Sequence, residues 1–313
     1  MEIRNWTVVS EFFLLGFTDR KELHFPLFVL FSAIYVLTIL GNIGMAAIIW
    51  TSSQFHVAMY LFLFNLSLVD ACFSTSVSPK MLANLLMKTS SISLLECATQ
   101  LYFAVTFGTS ECFLLLFMAY DRYVAICSPL SYSVIMTNQH CLILAAVSHI
   151  IGFLHSLIHT IATFSIPFCK PDIHHFFCDI QPLLKLSCGE TTTNEILLFM
   201  FTGSITICCL LTILVSYFCI LCAVFKISSA GVRYRTFSTC SSHITSVLLY
   251  YGSILFMYLR PNSKYKDQDL SGSVFYSLVI PLLNPFIYSL RNRDVKNVIR
   301  KTLALRIFYC NRI

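Results

Sequence analysis

Residues 25–50 read FPLFVLFSAIYVLTILGNIGMAAIIW, an unbroken run without one charged side chain. An α-helix rises ~1.5 Å per residue and the hydrocarbon core of a bilayer is ~30 Å thick, so a helix over this run is long enough to cross it. A membrane barrel strand would instead alternate polar and apolar residues over about ten positions. Six further segments are apolar enough over a similar length: 57–81, 97–120, 141–165, 196–225, 236–259 and 270–290. The first of these carries Asp70 and ends at Pro79-Lys80, the second carries Glu111, and the other four hold no permanent charge. In lipid every backbone polar group must be satisfied within the protein, which leaves helices as the form for such runs. The sequence therefore predicts an all-α membrane protein. A seven-transmembrane helix bundle over residues 25–290 is preceded by an N-terminal segment, 1–24, and followed by a tail, 291–313.

Composition points the same way. Of 313 residues 57% are hydrophobic and 12% charged, whereas a soluble domain carries about 25% charge. No short unit repeats, so collagen, solenoids and low-complexity disorder are excluded. Met1–Glu22 holds acids and only a short apolar patch, Phe12–Phe17, so the first span rather than a cleavable signal is expected to target the chain.

An odd number of spans sets the two ends on opposite sides. The stretches holding Arg122, Lys226, Arg233, Arg235 and the tail cations from Arg291 to Arg312 carry only Asp121 and Asp294 as acids. The positive-inside rule then predicts a cytoplasmic C-terminus, an extracellular N-terminus and a multi-pass protein of the plasma membrane. Asn5-Trp6-Thr7 becomes a glycosylation acceptor at Asn5. Asp294–Leu305 reads as a short amphipathic helix lying on the anionic inner leaflet, with membrane lipid as its partner.

Seven helices serve receptors, transporters and intramembrane enzymes. No nucleophile with a base and no metal triad stands within a span, so catalysis is not expected. Transporters tend to show two similar halves with paired broken spans; here only the seventh is strongly interrupted, by Pro281 and Pro285. A small-solute transporter is the alternative to a receptor, and nothing calls for nucleic acid. His155 and His159, four apart in the fourth span, and His175-Phe176-Phe177-Cys178-Asp179 bring metal-ligating side-chain types together, but hydrogen-bonded buried histidines are the commoner outcome. Cys97, Cys169, Cys178 and Cys188 sit in or beside polar connections, and four cysteines allow three pairings.

The motifs settle the choice by resemblance. Met118-Ala119-Tyr120-Asp121-Arg122-Tyr123-Val124-Ala125-Ile126-Cys127 with Pro129-Leu130 ends the third span, and Ser216-Tyr217 lies in the fifth. Phe237-Ser238-Thr239-Cys240-Ser241-Ser242-His243 opens the sixth, Pro281-Leu282-Leu283-Asn284-Pro285-Phe286-Ile287-Tyr288 closes the seventh, and Gly41-Asn42 and Leu66-Ser67-Leu68-Val69-Asp70 lie in the first two. In order and spacing the chain resembles the rhodopsin-like G-protein-coupled receptors, and within them the olfactory receptors, over almost its whole length.

The resemblance implies a receptor for a small volatile ligand that acts on a heterotrimeric G protein, of the stimulatory olfactory type, through cyclic AMP. It implies that Asp121, Arg122, Tyr123, Tyr217, His243, Asn284, Pro285 and Tyr288 rearrange on activation, and that Cys97 pairs with Cys178 and Cys169 with Cys188. It also puts Asp70 and Glu111, the only acids deep within spans, near Asn42 and Asn284. Two acids in one apolar site either hold a cation, for which sodium is the candidate, or keep a proton; no other cofactor is expected. One-face spacing on the third helix nominates Leu101, Ala104, Val105, Gly108 and Thr109 for the ligand pocket. Thr202, Ile205, Tyr251, Ile254, Leu255, Tyr258 and Val274 are expected to face them. Such a pocket is apolar with a few hydroxyls and suits a neutral molecule.

Two positions depart from the family pattern. Ala58 stands where a proline usually opens the second span, which loses a φ constraint. His149 replaces a tryptophan of the fourth span, and this exchange of a large ring for a smaller polar one is expected to lower surface delivery.

Overall fold

The structure is a computed structural model describing residues 9–17, 20–52, 55, 57–87, 90–258, 266–291 and 295. Asn5, the side chain of Tyr258 and nearly all of the expected tail helix lie outside the described residues. Seven helices are long and apolar enough to cross a membrane: Lys21–Thr51, Ala58–Leu86, Leu94–Cys127, Asn138–Phe164, Thr192–Phe225, Ala230–Met257 and Leu270–Ser289. Their outer faces carry Leu40, Trp50, Leu157, Phe199, Leu214 and Phe218 in exposed positions. A continuous apolar exterior of this kind is stable only against hydrocarbon, so the protein is an inside-out bundle of multi-pass type.

The elements are α1 (His24–Thr51), α2 (Ala58–Leu86), α3 (Leu94–Cys127), the short α4 (Tyr132–Ile135) and α5 (Asn138–Phe164). After them come α6 (Ile180–Leu184), α7 (Thr192–Leu197), α8 (Ser204–Phe225), α9 (Ala230–Tyr258), α10 (Lys266–Val274) and α11 (Ile280–Arg291). Two π-helical stretches, Leu198–Gly203 and Phe275–Val279, join α7 to α8 and α10 to α11. Helix α3 packs against α2, α5, α8 and α9 and forms the axis of the bundle. Its start is set by a capping box: Ser93 Oγ accepts from Glu96 N–H while the Glu96 carboxylate accepts from Ser93 N–H. The helix continues seven residues beyond the span expected to end at Tyr120, so Asp121, Arg122 and Tyr123 ride on its last turns.

The packing of α5 on α3 depends on small residues. Ala145, Ser148, Gly152 and Ser156 form a buried stripe on α5 at helical spacing. Ser156 Oγ donates to the Tyr102 carbonyl at 2.5 Å, and Ser110 Oγ of α3 reaches the Ser148 carbonyl of α5 at 3.4 Å. Small residues let helix backbones approach closely where no hydrophobic force drives helices together. Proline placement explains a second seam. Pro285 has no N–H, so the carbonyl of Pro281, four residues earlier, loses its intrahelical donor. Asn42 of α1 supplies one, its Nδ2 donating to Pro281 O at 2.8 Å.

The N-terminal segment, for which the sequence predicted no secondary structure, builds a small sheet. Strand β1 (Glu11–Leu14) pairs antiparallel with β2 (Ser91–Ser93) and parallel with β3 (Asp172–Ile173). Alternation decides its facing: Phe12 and Leu14 are 0% and 1% exposed, while Glu11 and Phe13 point outward. The sheet covers the end of the bundle where the long α5–α7 connection folds back, held by disulfides Cys97–Cys178 and Cys169–Cys188 with Cα separations of 5.5 and 5.4 Å. Gln100 adds a polar clamp there, its Nε2 donating to Ser76 O at 3.0 Å and its Oε1 accepting from Cys178 N–H at 2.9 Å.

Candidate functional site

Beneath this lid lies a cavity of about 90 Å³. Helix α3 contributes Ala104, Val105, Gly108, Thr109 and Cys112, and the π-helical stretch with the start of α8 contributes Thr202, Ile205 and Thr206. Helix α9 adds Tyr250, Ile254 and Met257, and the connection flanking Cys178 adds Phe177, Asp179 and Ile180. Phe73, His155, Ser273 and Tyr276 complete the wall.

Of the twelve residues expected around a ligand, the structure brings seven to this cavity: Ala104, Val105, Gly108, Thr109, Thr202, Ile205 and Ile254. Leu101 sits one turn nearer the disulfide, packed with Cys97, Cys178 and Ile180. Tyr251 points elsewhere on α9, its hydroxyl donating to Cys112 O at 3.3 Å. The neighbouring Tyr250 faces the cavity instead, because each helical residue turns the side chain by about 100°. Val274 packs with Phe31 and Leu278, and Leu255 is half-buried outside the lining.

The other eleven lining residues were not anticipated, and two of them, His155 and Asp179, bring titratable groups to the wall. His155 enters because Gly152, one turn away, lets α5 approach α3 until a Cβ at Gly152 would lie only 2.6 Å from Thr106 O and Ser110 Oγ. The ring Nδ1 of His155 is then 2.9 Å from Thr109 Oγ1, and its Nε2 is 3.1 Å from His159 Nε2 and 3.2 Å from Thr202 Oγ1. The i,i+4 histidine pair on a buried stripe was the signal that pointed here. Asp179 enters through the loop, its Oδ1 accepting from Ile180 N–H at 2.8 Å; burial raises its pKa above the ordinary carboxylate value. The residues of the supposed soft-metal motif separate: Cys178 is in a disulfide, and His175 stacks on Phe176 with Nδ1 3.1 Å from Phe177 O. Among the described residues no three metal-ligating side chains come together.

Deeper in the bundle Asn284 Nδ2 donates to Asp70 Oδ2 at 2.9 Å and reaches Glu111 Oε1 at 3.4 Å. Asn42 Oδ1, Asp70 Oδ1 and Asn284 Oδ1 are buried with no hydrogen-bond partner. The oxygens of Asp70, Glu111 and Asn284, which the Asn284 amide links, are the all-oxygen kind of donor set that fits a hard cation.

At the end opposite the lid, Arg122 pairs with Asp121 at 2.8 Å, and the Tyr132 hydroxyl donates to the other oxygen of Asp121 at 2.8 Å. Burial and the adjacent carboxylate push the Tyr132 pKa up, so the phenol stays a donor. Nearby, His243 Nε2 lies 3.0 Å from Leu115 O and Nδ1 2.6 Å from the Tyr217 hydroxyl. A carbonyl only accepts, so Nε2 carries the proton and the Tyr217 O–H donates to Nδ1. Tyr123 packs with Ile220, Val224 and Cys240, Tyr288 is buried in the main core, and Pro285 packs against Gly41. The eight residues expected to rearrange are thus divided between a polar lock near Arg122 and the Asn284 region.

A family model described as olfactory receptor matches residues 31–306. Olfactory receptor 5T17 of Mus musculus is 51% identical over 310 residues, covering 98% of this chain and 96% of that protein. Human olfactory receptor 5T3 is 51% identical over 305 residues, with 97% and 90% covered. Human olfactory receptor 5K1 is 48% identical over 305 residues, with 97% and 99% covered.

Proposed function

Because the chain belongs to the olfactory receptor family, we propose that it senses a small, mostly apolar odorant in the cavity beneath the lid and activates a heterotrimeric G protein at the opposite end. The observation that carries this reading is the largely apolar cavity lined by α3, α5, α8, α9 and the π-helical stretch before α11. A ligand there touches helices whose far ends hold the Asp121–Arg122–Tyr132 and Tyr217–His243 bonds. Binding alters that lock only if the two bundle states bind ligand unequally. Freed from Asp121, the Arg122 guanidinium becomes available to a protein partner.

The orientation in this reading follows the cation distribution: lid, glycosylated Asn5 and cavity outside the cell, Arg122 and the basic tail inside, with the tail along anionic lipid. The partner is the stimulatory olfactory G protein and the output cyclic AMP. Asp70, Glu111 and Asn284 would hold sodium, which supplies charge compensation for the two acids; substituting Asp70→Asn is expected to abolish any sodium dependence of signalling, and unchanged dependence refutes the ion. The test of the whole is a cyclic AMP reporter screened with volatile compounds. Responses are expected in the wild type and not in Arg122→Ala at matched surface level. Responses that survive that substitution overturn the coupling mechanism.

A further inference from the structure

The cavity has one polar corner whose chemistry restricts what it can hold. His155 touches Thr109 through Nδ1 at 2.9 Å and His159 through Nε2 at 3.1 Å, while Thr202 Oγ1 stands 3.2 and 3.4 Å from the two Nε2 atoms. Two neutral imidazoles meeting through their Nε2 atoms need one donor and one acceptor, which allows two arrangements. In the first, Thr109 O–H donates to His155 Nδ1, and His155 Nε2–H donates to His159. The Thr109 oxygen is then left with lone pairs to accept. In the second, both rings have exchanged tautomers: His159 Nε2–H donates to His155, His155 Nδ1–H donates to Thr109, and the Thr109 proton is free to donate. Thr202 serves either arrangement because its hydroxyl both donates and accepts.

Resting on the receptor reading above, we propose that the His155–His159 pair with Thr109 and Thr202 is the specificity anchor of the cavity, and that it selects neutral molecules bearing a single oxygen function. A carbonyl is taken through the second arrangement and a hydroxyl through the first, with no change in net charge. Size follows from volume: a dry cavity of ~150 Å³ takes benzene, so one of about 90 Å³ suits molecules smaller than benzene, of about four or five heavy atoms. Carboxylates are rejected because no Lys or Arg lines the cavity and an unpaired buried anion is strongly disfavoured. Hydrocarbons of the same shape fit but leave the corner without a partner.

The test uses the full-length receptor and a shape-matched set: butanone, sec-butanol, isopentane, sec-butylamine and butyrate. Two readouts run in parallel, the cyclic AMP reporter in cells and ligand-dependent thermal stabilisation of purified receptor. Butanone and sec-butanol are expected to act at concentrations about tenfold below isopentane, the worth of one hydrogen bond. His155→Phe and Thr109→Val are each expected to erase that preference, while His155→Asn, which keeps a hydrogen-bonding group near Nδ1, retains most of it and controls for folding. The proposal is overturned if isopentane equals butanone in the wild type, if His155→Phe preserves the preference, or if a receptor present at the cell surface neither binds nor answers the set. A dominant response to sec-butylamine that Asp179→Asn removes also overturns it, in favour of a cation subsite. Thermal stabilisation without signalling would leave the anchor standing and sink the receptor reading; signalling indifferent to His155 would do the reverse.

Discussion

Replacing Gly152 by alanine adds one methyl group where α5 meets α3, and the structure specifies what it meets. The new Cβ lies 2.6 Å from both Thr106 O and Ser110 Oγ, and Thr106 O is backbone that cannot rotate away. Restoring ordinary contact at 3.4 Å requires the helices to part by about 0.8 Å. Overpacking of this kind destabilises by about 1–3 kcal/mol, against which the better helix propensity of alanine returns up to about 1 kcal/mol. The same displacement would stretch the His155–Thr109 contact from 2.9 Å to about 3.7 Å, beyond hydrogen-bonding range. Gly152→Ala should therefore lower the midpoint of thermal inactivation in detergent and weaken responses to oxygenated ligands. Gly252→Ala is the control, since nothing lies within 4 Å of its added Cβ; it should be neutral or stabilising. The double substitution Ser110→Ala with Gly152→Ala removes one clash and leaves the carbonyl, so it should recover part of the loss. If Gly152→Ala proves as stable as Gly252→Ala, the close approach of α5 to α3 is wrong, and with it the placement of His155.

Tyr132→Phe deletes the phenol that holds Asp121 at 2.8 Å and should raise basal signalling about fivefold or more, the population shift expected for ~1 kcal/mol; an unchanged basal level in the reporter counts against the lock. His175, in the lid, is fully enclosed, and burial first, then the Lys185 charge, lowers its pKa to about 4. Its neutral form is favoured by folding, so the stability it contributes is full above the unfolded value near 6.5 and is lost as the pH falls toward 4, about 3 kcal/mol in all. Thermal melts from pH 7 to pH 4 should show that decline, and His175→Phe should flatten it. His149 Nε2 lies 3.3 Å from Asn65 Oδ1 across α2, so flow cytometry should find lower surface levels for His149→Phe, which has no N–H, and higher levels for His149→Trp, which keeps a donor and enlarges the ring.

The glycine, histidine and tyrosine effects differ in how far they could be read from the chain alone. Gly152 was visible only as a residue in an apolar run, and His149 only as a departure from the family pattern. Their partners Thr106, Ser110 and Asn65 are distant in sequence and become neighbours when α5 docks on α3 and α2. The pairing of β1 with β2 and β3 was hidden for a related reason: four residues of strand become stable only once a sheet and a lid exist to bury Phe12 and Leu14. Rotational phase was the remaining obstacle, since one residue of helix separates Tyr250 in the cavity from Tyr251 behind it.

The number of the seven helices was legible in the amino acids themselves, because apolar runs of bilayer length are local and lipid accepts no other backbone form for them. The family motifs were equally local, each held within one helix or the turn that follows it. What folding alone decided was which side chains meet: Asn42 with a carbonyl freed by Pro285, Asn284 with two acids, and His155 with Thr109 and His159. Those contacts depend on helix rotation and on how closely backbones can pack, quantities set by small residues on opposing faces rather than by the composition of any one segment.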